Sequence, residues 1–246
     1  MQQKIVNKLL REVQESYHQI ANEFSDTRHY SWEEFNFFKP YLKPNSEIVD
    51  LGCGNGRLLD FLYAHYLNHD FRYIGIDNNS SLLARAHQKY PKEVFLPGDL
   101  IDIPLEEKQA DLVLSIAAFH HLPSKSLRIQ SLAEIKKILR PNGLLIMTVW
   151  NLWQKKYFWN NVKAWLRSIF TLGNYAPNDL QIPWKNGQGK QLTSRYYHNF
   201  TPTELNKLLK NAGFTVVESF STKKGEKVPF LKSFNYCIVA QIAQHE

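Results

Sequence analysis

The sequence predicts an α/β fold in which a doubly wound, mostly parallel sheet of seven strands is covered by helices. In this chain of 246 residues, short apolar runs alternate with segments of helical periodicity from residue 47 to residue 150. This alternation is typical of successive β-α-β units. The runs are almost continuously apolar, as expected of strands that are covered on both faces.

Each element is assigned from its periodicity and from the turn residues beside it. Residues 3–24 carry apolar side chains every third or fourth position, which predicts an amphipathic helix. A second helix over residues 32–38 should stop before Pro40. The strands are expected at 48–50, 72–77, 94–96, 110–115, 144–150, 215–220 and 235–242, and the further helices at 57–62, 80–89, 125–139 and from about 201.

The turn after the first strand holds the pattern Asp50-x-Gly52-x-Gly54-x-Gly56. Glycines let a ligand approach the backbone closely, and the amides at the start of the next helix would face that ligand. The dinucleotide fingerprint needs Gly-x-Gly-x-x-Gly, whereas Arg57 stands where its last glycine should be. The pattern therefore indicates a nucleotide other than a dinucleotide, although by itself an ordinary tight turn would also explain it.

Polar residues end four consecutive predicted strands, namely Asp50, Asp77, Asp99 and Ser115. The carboxyl ends of parallel strands meet at one edge of the sheet, where ligands of such folds bind. Asp77 follows Gly56 by 77 − 56 = 21 residues, close to the spacing of an acid that binds ribose hydroxyls. Any one of these side chains could instead be a simple turn or helix cap.

These motifs together resemble class I S-adenosylmethionine methyltransferases, which have a Rossmann-like fold. The resemblance spans nearly the whole chain, since it includes 47–56, 77, 98–100 and 139–143. It implies S-adenosyl-L-methionine as the cofactor, with its ribose on Asp77 and Asn78 and its adenine on Asp99 and the amide of Leu100. The remaining cofactor contacts implied are Asp50, Gly52, Cys53 and Gly54 at the methionine end, and Ser115.

Composition restricts the class of protein. The net charge of +7 and a pI near 9.2 suggest an anionic partner. Only Cys53 and Cys237 are present, so neither a disulfide framework nor a cysteine metal site is expected. The amino terminus is charged, and no apolar run approaches the roughly 20 residues that span a bilayer. We expect a soluble, cytoplasmic protein with no metal and no membrane partner.

Residues 151–200 interrupt the regular alternation with a basic, aromatic-rich insertion. They contain seven Lys and Arg against one acid, Asp179, and 11 of the 33 aromatic residues. We predict a single domain over 1–246, in which helices within 1–43 cover the cofactor and the insertion recognises the substrate. The insertion is interpreted as a lid with a small core of its own that also binds RNA. Trp159 and Trp165 should be packed, with Lys155, Lys156 and Lys190 on nucleic acid.

Three further segments, 20–28, 114–121 and 182–200, resemble the methyltransferases that esterify 5-carboxymethyluridine at the tRNA wobble position. In some animals that module is fused to an AlkB-like oxygenase. The resemblance implies the tRNA anticodon loop as substrate, and a small activating protein partner is also considered. Asn142 departs from the pattern, because the family usually has glycine there.

A carboxylate acceptor needs no general base, since it is already ionised at neutral pH. It needs a cationic clamp, and a guanidinium can bind a carboxylate through two parallel hydrogen bonds. Arg28 is the first candidate for the clamp and Arg195 the second, with His120 as a hydrogen-bond donor to the acceptor. Further substrate contacts are expected from His121, Trp184, Tyr196, Tyr197 and His198. Alternation along a strand would put Arg195 and Tyr197 on one face and Tyr196 and His198 on the other.

Other acceptors and one other class of protein remain open. The acceptor could be a small carboxylic acid or a quinone-type molecule, and the uridine could be carboxymethyl or carboxymethoxy. A non-catalytic RNA-binding subunit with the same fold is the alternative of a different class.

Overall fold

The computed structural model describes residues 1–27, 32–65 and 70–243. The helices are α1 (Gln3–Asp26), α2 (Arg57–His65), α3 (Ser80–Lys89), α4 (Lys125–Ile138), α5 (Phe158–Phe170) and α6 (Pro202–Asn211). The strands are β1 (Ser46–Leu51), β2 (Phe71–Asp77), β3 (Val94–Pro97), β4 (Ala110–Ile116), β5 (Leu139–Trp150), β6 (Asp179–Lys185), β7 (Gln191–His198), β8 (Phe214–Lys223), β9 (Glu226–Lys227) and β10 (Asn235–Ile242). Short 3-10 helices lie at Glu33–Tyr41, Phe119–His121, Lys155–Tyr157 and Phe230–Lys232.

The main sheet has the order β3-β2-β1-β4-β5-β10-β8-β9. Strands β1 to β5 pair in parallel, and β10 runs antiparallel to both β5 and β8. The predicted doubly wound fold is therefore confirmed, and the two-residue β9 adds an eighth strand to the seven expected. Strands β6 and β7 form a separate antiparallel hairpin within the insertion.

Two predicted elements differ most from the structure. The segment expected as a helix over 32–38 is a 3-10 helix that includes Pro40 in its last turn. Strand β5 begins at Leu139 rather than 144, because the residues between Leu139 and Leu144 form a bulge in the strand. Ala110 pairs with Leu139 and Leu112 pairs with Leu144, so the register shifts between these two pairs. Asn142 adopts a φ of 66° there. Glycine and asparagine favour that conformation, which explains why asparagine is accepted where the family has glycine.

The sheet has an apolar core on each face. One core joins it to α4 and α6 through residues such as Leu132, Ile135 and Leu205. The other joins it to α2 and α3 through residues such as Leu59 and Leu83. Full burial of one such side chain contributes about 1.5–3 kcal/mol. The two layers hold the carboxyl ends of β1, β2 and β4 in fixed relation to one another.

Helix α1 and the β6–β7 hairpin are tied together above that edge of the sheet. The hydroxyl of Ser16 donates to the carbonyl of Ser194 at 2.9 Å and lies 2.7 Å from the hydroxyl of Thr193. Gln19 donates to the carbonyl of Leu192 at 3.1 Å. Among the described residues, no helix is long and apolar enough to cross a membrane.

Candidate active site

A crevice of about 230 Å³ opens at the carboxyl ends of β1, β2 and β4. Helix α1 forms its opposite wall with side chains that include Gln14, Tyr17 and Phe24. Eight of the nine predicted cofactor residues line it, namely Asp50, Gly52, Cys53, Gly54, Asp77, Asn78, Asp99 and Leu100. The sheet edge thus brings together residues that are up to 50 positions apart in the chain.

The glycine turn gives the crevice a floor made of backbone. Gly52 has a φ of +77°, and a Cβ there would lie 2.5 Å from the Cβ of Ala118. The amides of Gly52 and Cys53 both donate to the carbonyl of Ile76, at 2.7 and 3.1 Å, which holds the turn against β2. A side chain at position 52 would therefore be strained by its backbone conformation and would also clash.

Asp77 is held in place by backbone amides. One carboxylate oxygen accepts from the amide of Gly54 and the other from the amide of Asn79, each at 2.8 Å. Burial raises the pKa of Asp77, and these hydrogen bonds oppose the rise. Asn78 donates to Asp99 at 2.8 Å, so the two acids flank one amide side chain. Such acceptors suit the hydroxyls of a ribose, as the sequence predicts.

Asp50 lies deeper in the crevice and is almost completely buried. It accepts a hydrogen bond of 2.9 Å from the hydroxyl of Tyr73. Burial raises the pKa of Asp50 to about 7, with the hydrogen bond from Tyr73 acting against the rise. A cationic ligand would stabilise the ionised form of this carboxyl group. This corner of the crevice is therefore suited to a positively charged group.

A chain of hydrogen bonds runs along the other end of the crevice. Nη1 of Arg195 donates to the hydroxyl of Tyr17, which lies 2.9 Å from Nε2 of His121. Nδ1 of His121 lies 2.8 Å from the carbonyl of Tyr196, so this nitrogen carries the proton and Nε2 accepts from Tyr17. Burial and the charge of Arg195 lower the pKa of His121 to about 3. His121 is therefore a neutral acceptor in this chain.

The guanidinium of Arg195 is enclosed by aromatic rings. Its side chain is 2% exposed, and the guanidinium carbon lies between 4.6 and 5.7 Å from the ring centroids of Tyr17, Trp150, Trp184 and Tyr197. Within residues 1–27, 32–65 and 70–243, no acidic side chain forms an ion pair with it. A buried cation without a counter-ion is costly, which favours an anionic ligand at this place.

His120 adds a hydrogen-bond donor to the same cluster. Its ring stacks on Tyr197 with 5.0 Å between centroids, and its Nδ1 accepts from the amide of Trp150 at 3.2 Å. Burial, together with His121 and Arg195, lowers the pKa of His120, so Nε2 carries the single proton. That buried Nε2 has no hydrogen-bond partner in the described part of the chain.

A profile of the methyltransferase domain family matches residues 49–147, from β1 to β5. The match covers the glycine turn and the strand ends that form the crevice. These residues form a methyltransferase domain, and the chain is an S-adenosylmethionine-dependent methyltransferase.

Two relatives of the methyltransferase carry the same functional name. The chain is 29% identical over 224 residues to the Schizosaccharomyces pombe tRNA (carboxymethyluridine(34)-5-O)-methyltransferase, and the match covers 84% of this chain and 90% of the relative. It is 34% identical over 134 residues to the Arabidopsis thaliana protein of that name, covering 54% of this chain but only 31% of the relative.

Solved structures agree with the fold. A SAM-dependent methyltransferase from Methanosarcina mazei has a TM-score of 0.65 at 20% identity and covers 85% of this chain and 98% of its own. A Haloferax volcanii methyltransferase, solved in complex with the Trm112 methyltransferase activator, has a TM-score of 0.64 at 18% identity and covers 95% and 99%. At these identities the likeness concerns the fold alone. The crevice residues fit S-adenosyl-L-methionine, because the carboxylate of Asp77 is placed to accept from its ribose hydroxyls and that of Asp50 to neutralise its cationic end.

Ser115 is the one predicted cofactor residue that does not line the crevice. It is completely buried inside the sheet, and residues 116–118, which follow it, reach the crevice instead. The prediction that Ser115 contacts the cofactor is therefore corrected. Strand β4 extends one residue further than expected, to Ile116, which moves the strand end past this serine.

Tyr196 and His198 are also placed differently from the prediction of substrate contact. The Tyr196 hydroxyl donates to Oδ1 of Asp179 at 2.5 Å, and Nδ1 of His198 lies 2.8 Å from the same oxygen. Nε2 of His198 contacts Glu204 at the start of α6, at 2.8 Å. The expected alternation along β7 is present, but this face anchors the hairpin to the body of the protein. Arg195 and Tyr197 are on the face near the crevice.

The lysines of the insertion are exposed at two separate places. Lys156 belongs to the 3-10 helix before α5 and lines a second cavity of about 470 Å³. This cavity adjoins the crevice, because Trp32, Arg57 and Trp150 line both. Lys155 is exposed beside Lys156, and Lys190 is exposed in the turn of the hairpin. Their contact with nucleic acid stays a prediction.

Three other predicted residues have different outcomes. The prediction that Trp159 and Trp165 pack into a small core is wrong, because they are 70% and 56% exposed. The small core that does exist holds Leu152, Ala164, Leu180, Ile182 and Tyr197. Arg28, the first candidate for the clamp, lies outside the described residues.

Sequence reasoning missed Tyr17 and Trp150 as site residues. Tyr17 falls on the apolar stripe of α1, and Trp150 ends an apolar strand, so each resembled an ordinary core position. Both line the crevice and contact Arg195. Trp184, which was predicted, lies over the same guanidinium at 4.6 Å.

Proposed function

We propose that this methyltransferase transfers a methyl group to the carboxylate of a carboxymethyl-type uridine at the wobble position of tRNA, forming a methyl ester. When bound, the cofactor supplies a methyl group on a sulfonium. The new bond forms at a carboxylate oxygen as the sulfur–methyl bond breaks, and no proton is lost from the acceptor. The name shared by the Schizosaccharomyces pombe and Arabidopsis thaliana relatives supports this acceptor.

The observation that carries the proposal is the buried guanidinium of Arg195, which has no ion pair with a described acidic residue. A carboxylate is the acceptor group that would supply the missing negative charge. The donor on Nε2 of His120 lies in the same aromatic cluster, so a bound carboxylate would find a hydrogen-bond donor beside the guanidinium. Charge-assisted hydrogen bonds of this kind are about twice as strong as neutral ones.

The state of the two histidines also supports an acceptor that needs no base. Burial lowers the pKa of both His120 and His121, and Nε2 of His121 is already occupied by Tyr17. Neither is suited to remove a proton from an amine or a hydroxyl group at neutral pH. A carboxylate arrives without that proton, so alignment and charge neutralisation are the remaining tasks.

The second cavity suits the polynucleotide part of the substrate. It adjoins the crevice and is lined by the cations Arg57, Lys156 and Lys224 together with the rings of Tyr157 and Phe234. Cations bind phosphates, and aromatic rings stack on unpaired bases such as those of an anticodon loop. The acids Glu33 and Glu34 also line it. An activating protein partner remains part of the proposal, supported by the complex of the Haloferax volcanii methyltransferase.

The test uses the full chain, bulk tRNA and cofactor labelled in its methyl group. One half of the tRNA is first treated with mild alkali, which hydrolyses existing esters and exposes their carboxylates, and the other half is left untreated. We expect label to enter the pretreated tRNA preferentially and to be released as methanol by a second alkali treatment. Label that survives the second treatment would mean N- or C-methylation and would contradict the ester. No labelling of either tRNA, in a protein that binds the cofactor by calorimetry, would move the acceptor to a small molecule.

A further inference from the structure

Helix α5 is oriented the opposite way to an ordinary surface helix. Its buried side is polar or small: Asn161 donates to the carbonyl of Leu152 at 2.8 Å, and Asn160 donates to the carbonyl of Gln181 at 3.4 Å. Arg167 donates to the carbonyl of Asp179, and Ala164 is buried between them. A surface helix normally turns its apolar stripe to the core. In α5 the polar side chains instead form the hydrogen bonds that attach the helix to the rest of the protein.

The outward side of α5 is a continuous apolar stripe that extends just past its carboxyl end. The helix has 13 residues, so the stripe is about 20 Å long. Phe170 is 81% exposed and Leu172 is 95% exposed, and they form an apolar tip. The exposed members of the stripe are Phe158, Trp159, Trp165, Leu166, Ile169, Phe170 and Leu172. Contiguous exposed apolar surface of this kind marks a site of interaction.

The charges around the stripe all have one sign. Residues 151–178 contain no acidic residue, and the next acid, Asp179, is completely buried. Lys155 and Lys156 are exposed just before the helix, and Lys163 is exposed on it. The partner of this surface must therefore offer both an apolar layer and negative charge.

We propose that α5 docks the protein on an anionic lipid bilayer, with the helix lying in the plane of the interface. Aromatic and aliphatic side chains on one side with lysines beside them are typical of helices that bind in this way. Leu172 and Phe170 enter the acyl boundary, while Lys155 and Lys163 contact anionic headgroups. The polar side, which would face water in an isolated peptide, instead holds the domain above the membrane.

Two other occupants fit the surface less well. Unpaired RNA bases would stack on Trp159 and Trp165, but they would leave Leu166, Ile169 and Leu172 in water. A second copy of the chain would cover the aliphatic residues, but it would bring lysines against lysines with no acid from 151–178 to receive them. The sequence-based expectation of no membrane partner rested on the lack of a spanning segment, which does not bear on a helix that lies flat.

The experiment measures sedimentation of the full chain with two kinds of vesicle, pure phosphatidylcholine and phosphatidylcholine mixed with phosphatidylglycerol. We expect binding to the anionic vesicles at least tenfold above binding to the neutral ones. The double variant Phe170→Ser, Leu172→Ser should lose at least tenfold of that binding, and its cofactor affinity by calorimetry should be unchanged. Leu231→Ser removes an apolar side chain that is 75% exposed on another part of the protein, and should bind vesicles like the wild type.

Each other outcome overturns the proposal. Wild-type protein that stays in the supernatant with anionic vesicles excludes lipid docking. Equal loss of binding in Leu231→Ser would show non-specific adhesion of exposed apolar residues. A wild-type dimer by light scattering that becomes a monomer in the double variant would assign the stripe to a second copy. Loss of tRNA binding in the double variant with vesicle binding retained would assign it to RNA. None of these readouts depends on the identity of the methyl acceptor.

Discussion

The hydroxyl of Tyr17 accepts a hydrogen bond of 2.9 Å from the guanidinium of Arg195. Tyr17 comes from α1 and Arg195 from β7, so this contact joins the amino-terminal helix to the insertion 178 residues later. The same hydroxyl donates to His121 after β4, at 2.9 Å. One oxygen atom thus sets the position of the cation that we propose to bind the acceptor.

Tyr17→Phe should lower turnover without lowering cofactor affinity. The variant keeps the ring that packs against Arg195 but removes the hydroxyl that orients it, and it leaves Nε2 of His121 without a donor. A hydrogen bond to a charged group contributes about 1.5–3 kcal/mol, so we expect kcat to fall roughly tenfold to a hundredfold. Single-turnover rates with tRNA and calorimetry with S-adenosylhomocysteine would measure the two effects.

The matched control is Tyr63→Phe, which removes a hydroxyl that bonds to Glu93 on the far side of α2. Its turnover should match the wild type. An unchanged kcat in Tyr17→Phe would show that Arg195 keeps its position without this bond.

Arg28→Ala should abolish turnover and leave cofactor affinity nearly intact, if Arg28 shares the clamp with Arg195. This prediction rests on the resemblance to the wobble-uridine enzymes, since Arg28 lies outside the described residues. Calorimetry with the cofactor and turnover with tRNA separate the two roles. Loss of cofactor binding in the variant would instead move Arg28 to the methionine carboxylate.

The cofactor site could be predicted from sequence because its signals are local. A strand, an acid and three glycines define the turn at 50–56, and glycine is required at position 52 because a Cβ there would lie 2.5 Å from the Cβ of Ala118. Asp77 and Asp99 follow from the rule that parallel strands end at one edge. The acceptor side depends on contacts between distant segments, so a stripe on α1 could not indicate that Tyr17 meets Arg195.

The insertion shows the same limit more sharply. Alternation along β7 correctly separated Arg195 and Tyr197 from Tyr196 and His198. It could not tell which of the two faces lies near the crevice, because that depends on the position of the buried Asp179, to which Tyr196 and His198 bond. Likewise, the aromatic-rich composition predicts that the insertion has a small core, but it cannot tell which aromatic residues enter that core. The expectation that Trp159 and Trp165 lie in this core is wrong, because α5 turns Asn160, Asn161 and Ala164 toward the protein instead.

Cofactor affinity should fall as the pH drops below about 7. Burial raises the pKa of Asp50 to about 7, so below that pH the empty site carries a neutral carboxyl group. Binding a cationic cofactor favours the ionised form, and the proton must then be released. The limiting effect is about tenfold in Kd per pH unit for a single group. Calorimetry in buffers of different ionisation enthalpy would detect the proton released at a pH of about 6.

Asp50→Asn is the control for this titration. It should bind the cofactor more weakly at pH 8 than the wild type, and its affinity should be flatter with pH. A wild-type affinity that stays constant from pH 6 to pH 8, on the order of one unit either side of the pKa, would show that Asp50 does not ionise on binding.

Asp179→Asn should destabilise the insertion and thereby the protein. The buried carboxylate accepts from Tyr196 and His198 through one oxygen and from the amide of Ala176, at 2.7 Å, through the other. Burial alone would raise the pKa of Asp179, but the hydrogen bonds from His198, Tyr196 and Ala176 outweigh it, so the pKa is lowered. Its contribution to stability is therefore present above the unfolded pKa of about 4 and is lost as the pH falls through the lower folded value.

An amide at position 179 turns a donor toward these donors. It also removes the buried ion pair with Arg128, whose Nη2 lies 3.9 Å from Oδ1 of Asp179, and breaking such a pair costs about 3–5 kcal/mol. Urea unfolding at neutral pH would measure the loss, which should shrink as the pH is lowered below about 4. Glu12→Gln breaks an exposed ion pair with Lys8 on α1 and should cost no more than about 0.5 kcal/mol. Equal losses in the two variants would mean that the network around Asp179 contributes no more than a surface pair.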